Sequence, residues 1–172
     1  DALAVLMEKM DIVRGMMQGF DYSAFETQAL PLLVPAANHI LGLKDGKTRS
    51  YSLANPPHDD ELLELHIRHV PGGLFTDTVF SSLKARDILR LKGPLGSFFI
   101  REDSDKPMIF IAGGTGFAPI KGMLEHAFAE HTDREMVLYW GVRALKDLYM
   151  ADLPRQWQAE RPNFSFIPVL SN

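Results

Sequence analysis

The chain has 172 residues with 18 basic and 22 acidic side chains, a formal charge of −4. That length suits one large domain or two small ones, and the mild acidity leaves no basic footprint for nucleic acid or anionic lipid. There is no cysteine, which excludes disulfides and cysteine-ligated iron–sulfur or zinc sites from this chain. No apolar run reaches the ~18–20 residues of a membrane span, and no basic region followed by an apolar stretch opens the sequence. The expected setting is the cytoplasm, with neither membrane nor nucleic acid as a partner.

The opening reads as helical. Leu3, Leu6, Met7, Met10, Val13 and Met17 recur at helical spacing among charged residues, an amphipathic pattern that Gly19 is placed to end. A further helical turn is expected over 36–41. After the turn dipeptide Asp45-Gly46 the texture changes, and strands are expected over 49–54, 62–70 and 87–91, with a helix over 74–83. From Pro107 onward the rhythm is strand, helix, strand, helix, strand. Residues 108–112 form a short apolar run suited to a buried parallel strand, followed by a helix over 118–130. A strand over 136–141, a partly helical stretch over 145–160 and a strand over 164–170 complete it. Three strands with intervening helices imply a parallel α/β sheet.

Four local motifs point to anionic or planar ligands. Gly113-Gly114-Thr115-Gly116-Phe117-Ala118-Pro119 joins an apolar strand to a helix. Glycines there permit a tight turn, and the helix start presents free N–H groups to a phosphate. Arg49-Ser50-Tyr51-Ser52 supplies a cation, an aromatic face and hydroxyls, which is also what an ordinary half-polar strand contains. Gly72-Gly73-Leu74-Phe75-Thr76 feeds a helix, and Gly93-Pro94-Leu95-Gly96-Ser97-Phe98-Phe99 reads as a turn between strands. His66 and His69, three apart on an expected strand, point to opposite faces and make a poor metal pair, and no metal is expected. Trp157 is expected to pack on the sheet.

The order of these motifs, followed by Tyr139-Trp140-Gly141-Val142-Arg143, resembles the ferredoxin–NADP reductase superfamily. Within it, the sequence is most similar to bacterial CDP-6-deoxy-glucoseen reductase-like proteins and oxygenase reductases. Glu64-Leu65-His66-Ile67-Arg68-His69 and 101–107 carry the same likeness. The resemblance covers about 43–172. It implies a flavin, FAD or else FMN, and NAD(P)H, with hydride passing from the nicotinamide to the flavin and electrons on to an iron–sulfur partner. On the same basis Arg49 pairs with a flavin phosphate, Tyr51 packs on the flavin ring and Ser52 sits near its reactive nitrogen. Tyr51 and Ser52 are thus the implied catalytic pair. Gly73 and Thr76 meet the flavin diphosphate. Gly114, Thr115 and Gly116 meet the nicotinamide diphosphate, and Arg143 reaches its ribose or a 2′-phosphate.

The sequence also departs from that family. The barrel strands that should precede Arg49 are not visible, the family normally continues past Asn172, and residues 9–47 resemble the C-terminal region of type I restriction motor subunits. The expected organisation is therefore α/β in three parts. These are a helical segment at 1–43, a remnant of an antiparallel flavin-binding barrel at 44–102, and a partial nucleotide-binding parallel sheet at 103–172. Cut sheet edges would favour a homo-oligomer, most simply a dimer. The rival to a truncated oxidoreductase is a non-catalytic, self-associating recombined fragment that keeps flavin or nucleotide affinity.

Overall fold

A computed structural model describes residues 38–42, 48–59, 61 and 63–171. The helix expected over 3–17, the turn at Asp45-Gly46 and the rest of 1–37 lie outside the described residues. Among those described, the strands are β1 (Asn38–Gly42), β2 (Thr48–Ser52), β3 (Arg90–Leu95), β4 (Met108–Gly113), β5 (Met136–Val142) and β6 (Phe164–Leu170). The helices are α1 (Leu74–Ser81), α2 (Phe117–Ala129) and α3 (Asp152–Glu160), with single 3₁₀ turns at Gly114–Gly116 and Leu145–Asp147.

Two three-stranded sheets result. One is antiparallel, in the order β2-β1-β3, and the other parallel, in the order β4-β5-β6. The parallel sheet follows from its connections, since α2 and α3 each return the chain to the same end before the next strand. Its register sets Gly113 opposite Gly141 and Met136 opposite Phe164. On one face Met108, Phe110, Ala112, Leu138, Trp140 and Phe164 are buried with Phe117, Ile120, Leu124 and Phe128 of α2. Trp157, the apolar anchor of the otherwise polar α3, packs edge-on against Phe128 at 5.4 Å and Phe164 at 6.0 Å between ring centres.

Among the described residues the other face is exposed. Ile109 and Ile111 are 68% and 76% exposed, and Ile167 and Val169 of β6 stand out on the same face, two strands away. An apolar strand was expected to be covered on both sides. The alternation of buried and exposed residues along β4 corrects this, because α2 and α3 both pack on the same face.

The antiparallel unit departs further from expectation. Residues 38–42 form a strand where a helical turn was expected, pairing with both β2 and β3. A barrel strand does precede Arg49. Conversely, residues 63–70 form no strand and touch the ladder only through an isolated bridge between Leu53 and Leu65. Leu63, Leu65 and Ile67 are nonetheless buried, with Leu53, Phe75 and Val79, so the alternation encodes burial without a ladder. The strand expected over 87–91 begins only at Arg90 and takes in Gly93 and Pro94 of the expected turn, whose glycine bend falls at Gly96 with φ +103°.

Candidate functional site

The Gly113–Gly116 turn lies at the C-terminal end of β4, where parallel sheets receive ligands. Gly114 has φ +51°, a left-handed conformation that favours glycine. Side chains built at Gly113, Gly114 or Gly116 would meet nothing within 4 Å, so the backbone here is open to an approaching ligand. The turn is held from below. The indole N–H of Trp140 donates to the Gly114 carbonyl at 2.9 Å, and its ring stacks on Phe117 at 4.0 Å with a 16° tilt. Arg143 follows β5 directly and is exposed, at the end of the strand that pairs Gly141 with Gly113.

In the second unit, strand alternation puts Arg49 and Tyr51 on one face of β2 and Ser52 on the other. Arg49 is exposed, with its guanidinium donating to the Thr48 carbonyl at 2.7 Å. Tyr51 is half-buried against Phe75 of α1, 5.6 Å between ring centres, which brings β2 and the start of α1 together. Burial pushes the Tyr51 phenol above its ordinary value, and the Arg49 charge partly opposes this. At α1, a side chain on Gly73 would come within 2.7 Å of Thr76 Oγ1 and 2.8 Å of the Val70 carbonyl, so only glycine fits this turn. The Thr76 hydroxyl is engaged inside the same turn, 3.0 Å from the Val70 carbonyl and 3.2 Å from the Val70 amide. Any anion at α1 therefore meets backbone N–H groups of the first turn, which lack intrahelical partners.

A polar cluster that the sequence reading missed joins the two units. Lys121, on α2, is 7% exposed. Its ammonium donates to Glu64 Oε2 at 3.0 Å, to Glu125 Oε2 at 2.9 Å and to the Ala54 carbonyl at 3.2 Å. An ammonium has three protons and no acceptor, so this set satisfies it. Glu64 also lies 3.0 Å from Nε2 of His66, whose Nδ1 is 2.5 Å from the Tyr149 hydroxyl. An ionised Glu64 only accepts, so Nε2 donates to it, while Nδ1 and the Tyr149 hydroxyl share the second hydrogen bond of the ring. Burial opposes ionisation of Glu64, but hydrogen bonds and charge from His66 and Lys121 together win and hold its carboxyl down at about 2. Glu125 receives a bond from the same ammonium yet moves the opposite way, because burial and the neighbouring Glu64 charge outweigh its one partner. Burial and the Glu64 charge also hold the Tyr149 hydroxyl protonated.

The environments of the two histidines differ sharply, His66 being 4% exposed and His69 lying on the surface. On the strand expected over 62–70, Glu64, His66 and Arg68 would share the face opposite Leu63, Leu65 and Ile67. Glu64 and His66 instead face Lys121 and Tyr149 of the parallel-sheet unit, and the lone lysine inside the apolar run of α2 was the signal that could have led there. Among the described residues no group of three or more His, Cys, Asp or Glu side chains is arranged to hold a metal. No described helix is long and apolar enough to cross a membrane.

These residues fit a nicotinamide nucleotide and a flavin. The open turn under Gly114 offers backbone to a diphosphate with Arg143 alongside, while Arg49, Tyr51 and the Gly73 turn offer a cation, an aromatic face and free amides. Comparison with known proteins agrees. The family described as "Oxidoreductase FAD-binding domain" matches residues 20–100, and "Oxidoreductase NAD-binding domain" matches residues 110–172. Residues 20–47, likened above to a restriction motor subunit, fall inside the first match.

The CDP-6-deoxy-L-threo-D-glycero-4-hexulose-3-dehydrase reductase of Yersinia pestis is 41% identical over 79% of this chain and 41% of its own length. The aromatic O-demethylase reductase subunit of an Amycolatopsis species is 41% identical, aligning with 100% of this chain and 52% of its own length. The chain thus spans about half or less of the length of these relatives. Among solved structures, the Amycolatopsis cytochrome P450 reductase GcoB has a TM-score of 0.75 at 43% identity, over 84% of this chain and 45% of that one.

Proposed function

This chain belongs to the ferredoxin–NADP reductase-like oxidoreductases, carrying an FAD-binding and an NAD-binding domain, and from that premise we propose that it passes a hydride from NAD(P)H to FAD. Bound FAD supplies the redox chemistry, accepting two electrons as hydride and releasing them singly. The protein's part is to bind and orient. The amides of the Gly114–Gly116 turn and the Arg143 guanidinium hold the nicotinamide nucleotide, and Arg49 with the amides of the Gly73 turn holds the flavin phosphates. Tyr51 covers the flavin ring, and Ser52 donates near its reactive nitrogen. The Tyr51 phenol, which burial pushes further above its ordinary value, presents a neutral face and adds no charge beside the ring. The acceptor is an iron–sulfur or oxygenase partner, in a cytoplasmic setting.

The observation that carries this reading is the open turn with Gly114 at φ +51°, wedged by Trp140 at the C-terminal edge of β4. Two variants test it. Arg49→Ala should weaken FAD binding roughly ten- to a hundredfold, the cost of about 1.5–3 kcal/mol for a charge-assisted contact. Gly116→Val should weaken NAD(P)H binding with no loss of melting temperature, because its side chain enters open space. Unchanged affinities by titration calorimetry would reject the assignments.

Self-association is the second part of the proposal, and the exposed face of the parallel sheet favours it. Ile109, Ile111, Ile167 and Val169 stand exposed there, and at ~25 cal/mol per Å² an apolar patch of several hundred Å² leaves many kcal/mol unrealised. A second copy related by two-fold symmetry covers the patch. Sedimentation equilibrium at micromolar concentration should give a dimer that Ile111→Asp dissociates, and a monomeric parent refutes it.

A further inference from the structure

We propose that the buried Lys121–Glu64 ion pair is a strut that fixes the nucleotide turn against the flavin strand, making both residues positioning residues for hydride transfer. The inference rests on the functional reading above and adds to it a pair of residues outside the turns and strand that this reading assigns to the two cofactors. Lys121 lies five residues after Gly116 on the helix that the turn opens, and its ammonium grips the carbonyl of Ala54, two residues after Ser52. Any slip of α2 along the flavin unit therefore breaks a charge-assisted bond.

A second path runs beside the first. The Gly114 carbonyl is bound by Trp140, whose ring meets Tyr149 edge-on at 5.2 Å. The Tyr149 hydroxyl bonds His66, and His66 bonds Glu64, the carboxylate that also holds Lys121. The two paths close on one residue and tie the turn to the strand from both sides. An ion pair with 9% and 19% side-chain exposure is a poor device for stability alone, since apolar replacements of similar volume often do as well or better. What it provides is orientation. Glu125 on the same helix supplies one acceptor, and the other two, Glu64 and the Ala54 carbonyl, come from the flavin unit and are met together only when the two units are correctly set. Hydride transfer depends steeply on that arrangement, with a 1 Å misplacement costing on the order of a hundredfold in rate.

The test uses the full chain loaded with FAD and follows anaerobic reduction by NADH and by NADPH in a stopped-flow instrument. Lys121→Met should slow reduction roughly ten- to a hundredfold. The affinities for FAD and NAD(P)H should stay within about threefold, and the long-wavelength band of the stacked nicotinamide and flavin should weaken. Lys121→Arg should recover most of the rate, and Lys121→Met with Glu64→Gln should be no slower than Lys121→Met alone, since the two residues act as one unit. Glu64→Gln, which keeps shape and size, serves the same purpose if Lys121→Met does not fold. A folded variant with the parental reduction rate, or a loss accounted for wholly by weaker binding or lower melting temperature, overturns the strut. A parent that NAD(P)H does not reduce at all sinks the functional reading and the strut with it, whereas a reducible parent with an unaffected variant sinks the strut alone.

Discussion

The two units of this molecule are held together in different ways. The nucleotide unit is a parallel sheet packed under two helices through interlocking aromatic rings, with Phe117, Trp140, Phe128, Trp157 and Phe164 each in contact with others of the set. The flavin unit has short antiparallel strands, an irregular stretch over 63–70 and a mostly aliphatic core around Leu53, Leu63, Leu65, Ile67, Phe75 and Val79. Ring packing fixes geometry over a wide area, because a large side chain fits only one way. An irregular stretch fixes less, and here it borrows definition from its neighbour through Glu64 and His66. The contrast suggests that the nucleotide unit is the template and the flavin unit is shaped against it.

The largest expected effect breaks the template. Trp140→Ala removes a fully buried ring and the donor to Gly114, and it should cost about 3–5 kcal/mol in chemical denaturation. Loss confined to nucleotide binding, with stability intact, would mean that the stack is not what sets this unit.

The next prediction attacks the join. The Glu64 carboxyl lies near 2 in the fold against 4.5 as the reference value, so its stabilising contribution is full above about pH 4.5. That contribution, on the order of 3 kcal/mol, is lost as pH falls toward 2. Acid titration of the parent should show this loss, and Glu64→Gln should flatten it.

The smallest effect sharpens the contrast within the join. Glu125 titrates above its ordinary value, so its charge costs stability near neutrality, and this cost is relieved as pH falls through the raised value. Glu125→Gln should therefore change stability at pH 7 by less than about 0.5 kcal/mol or raise it slightly, whereas Glu64→Gln should lower it. Equal losses for the two glutamines would show that Lys121 does not distinguish its partners.

Most of the nucleotide unit was legible in the sequence, and the reason is physical. Parallel strands joined by helices are written as separated apolar runs, and the turn from Gly113 to Gly116 sits between a strand and a helix where its chemistry can be read locally. The flavin unit was less legible. Asn38–Gly42 has no alternation to mark it as a strand, and its role comes from pairing with two distant partners at once. Residues 62–70 misled in the opposite sense, because period-two burial was read as a ladder. Residues 63–67 are covered on both sides, one by the core around Leu53 and Phe75 and the other by α2 and Tyr149, while Arg68, His69 and Val70 are exposed. The backbone therefore has no need of a strand partner to bury alternate residues. The join itself was invisible for the same reason, since Lys121, Glu64 and Tyr149 lie far apart in sequence and only the fold brings their charges to one place.

Both tryptophans of the chain, Trp140 and Trp157, belong to the nucleotide unit, and this gives the molecule a one-sided optical signature. Indole emission reports the state of that half alone, and the flavin half, which holds no indole, is dark unless a bound flavin quenches the nearby light. Trp140 is also the ring wedged beneath the turn that would meet the nucleotide diphosphate. Its colour and lifetime would therefore respond to occupancy of that turn, while the antiparallel sheet could loosen without a change in the signal. A fluorescence melt of this protein is a measurement on half of it.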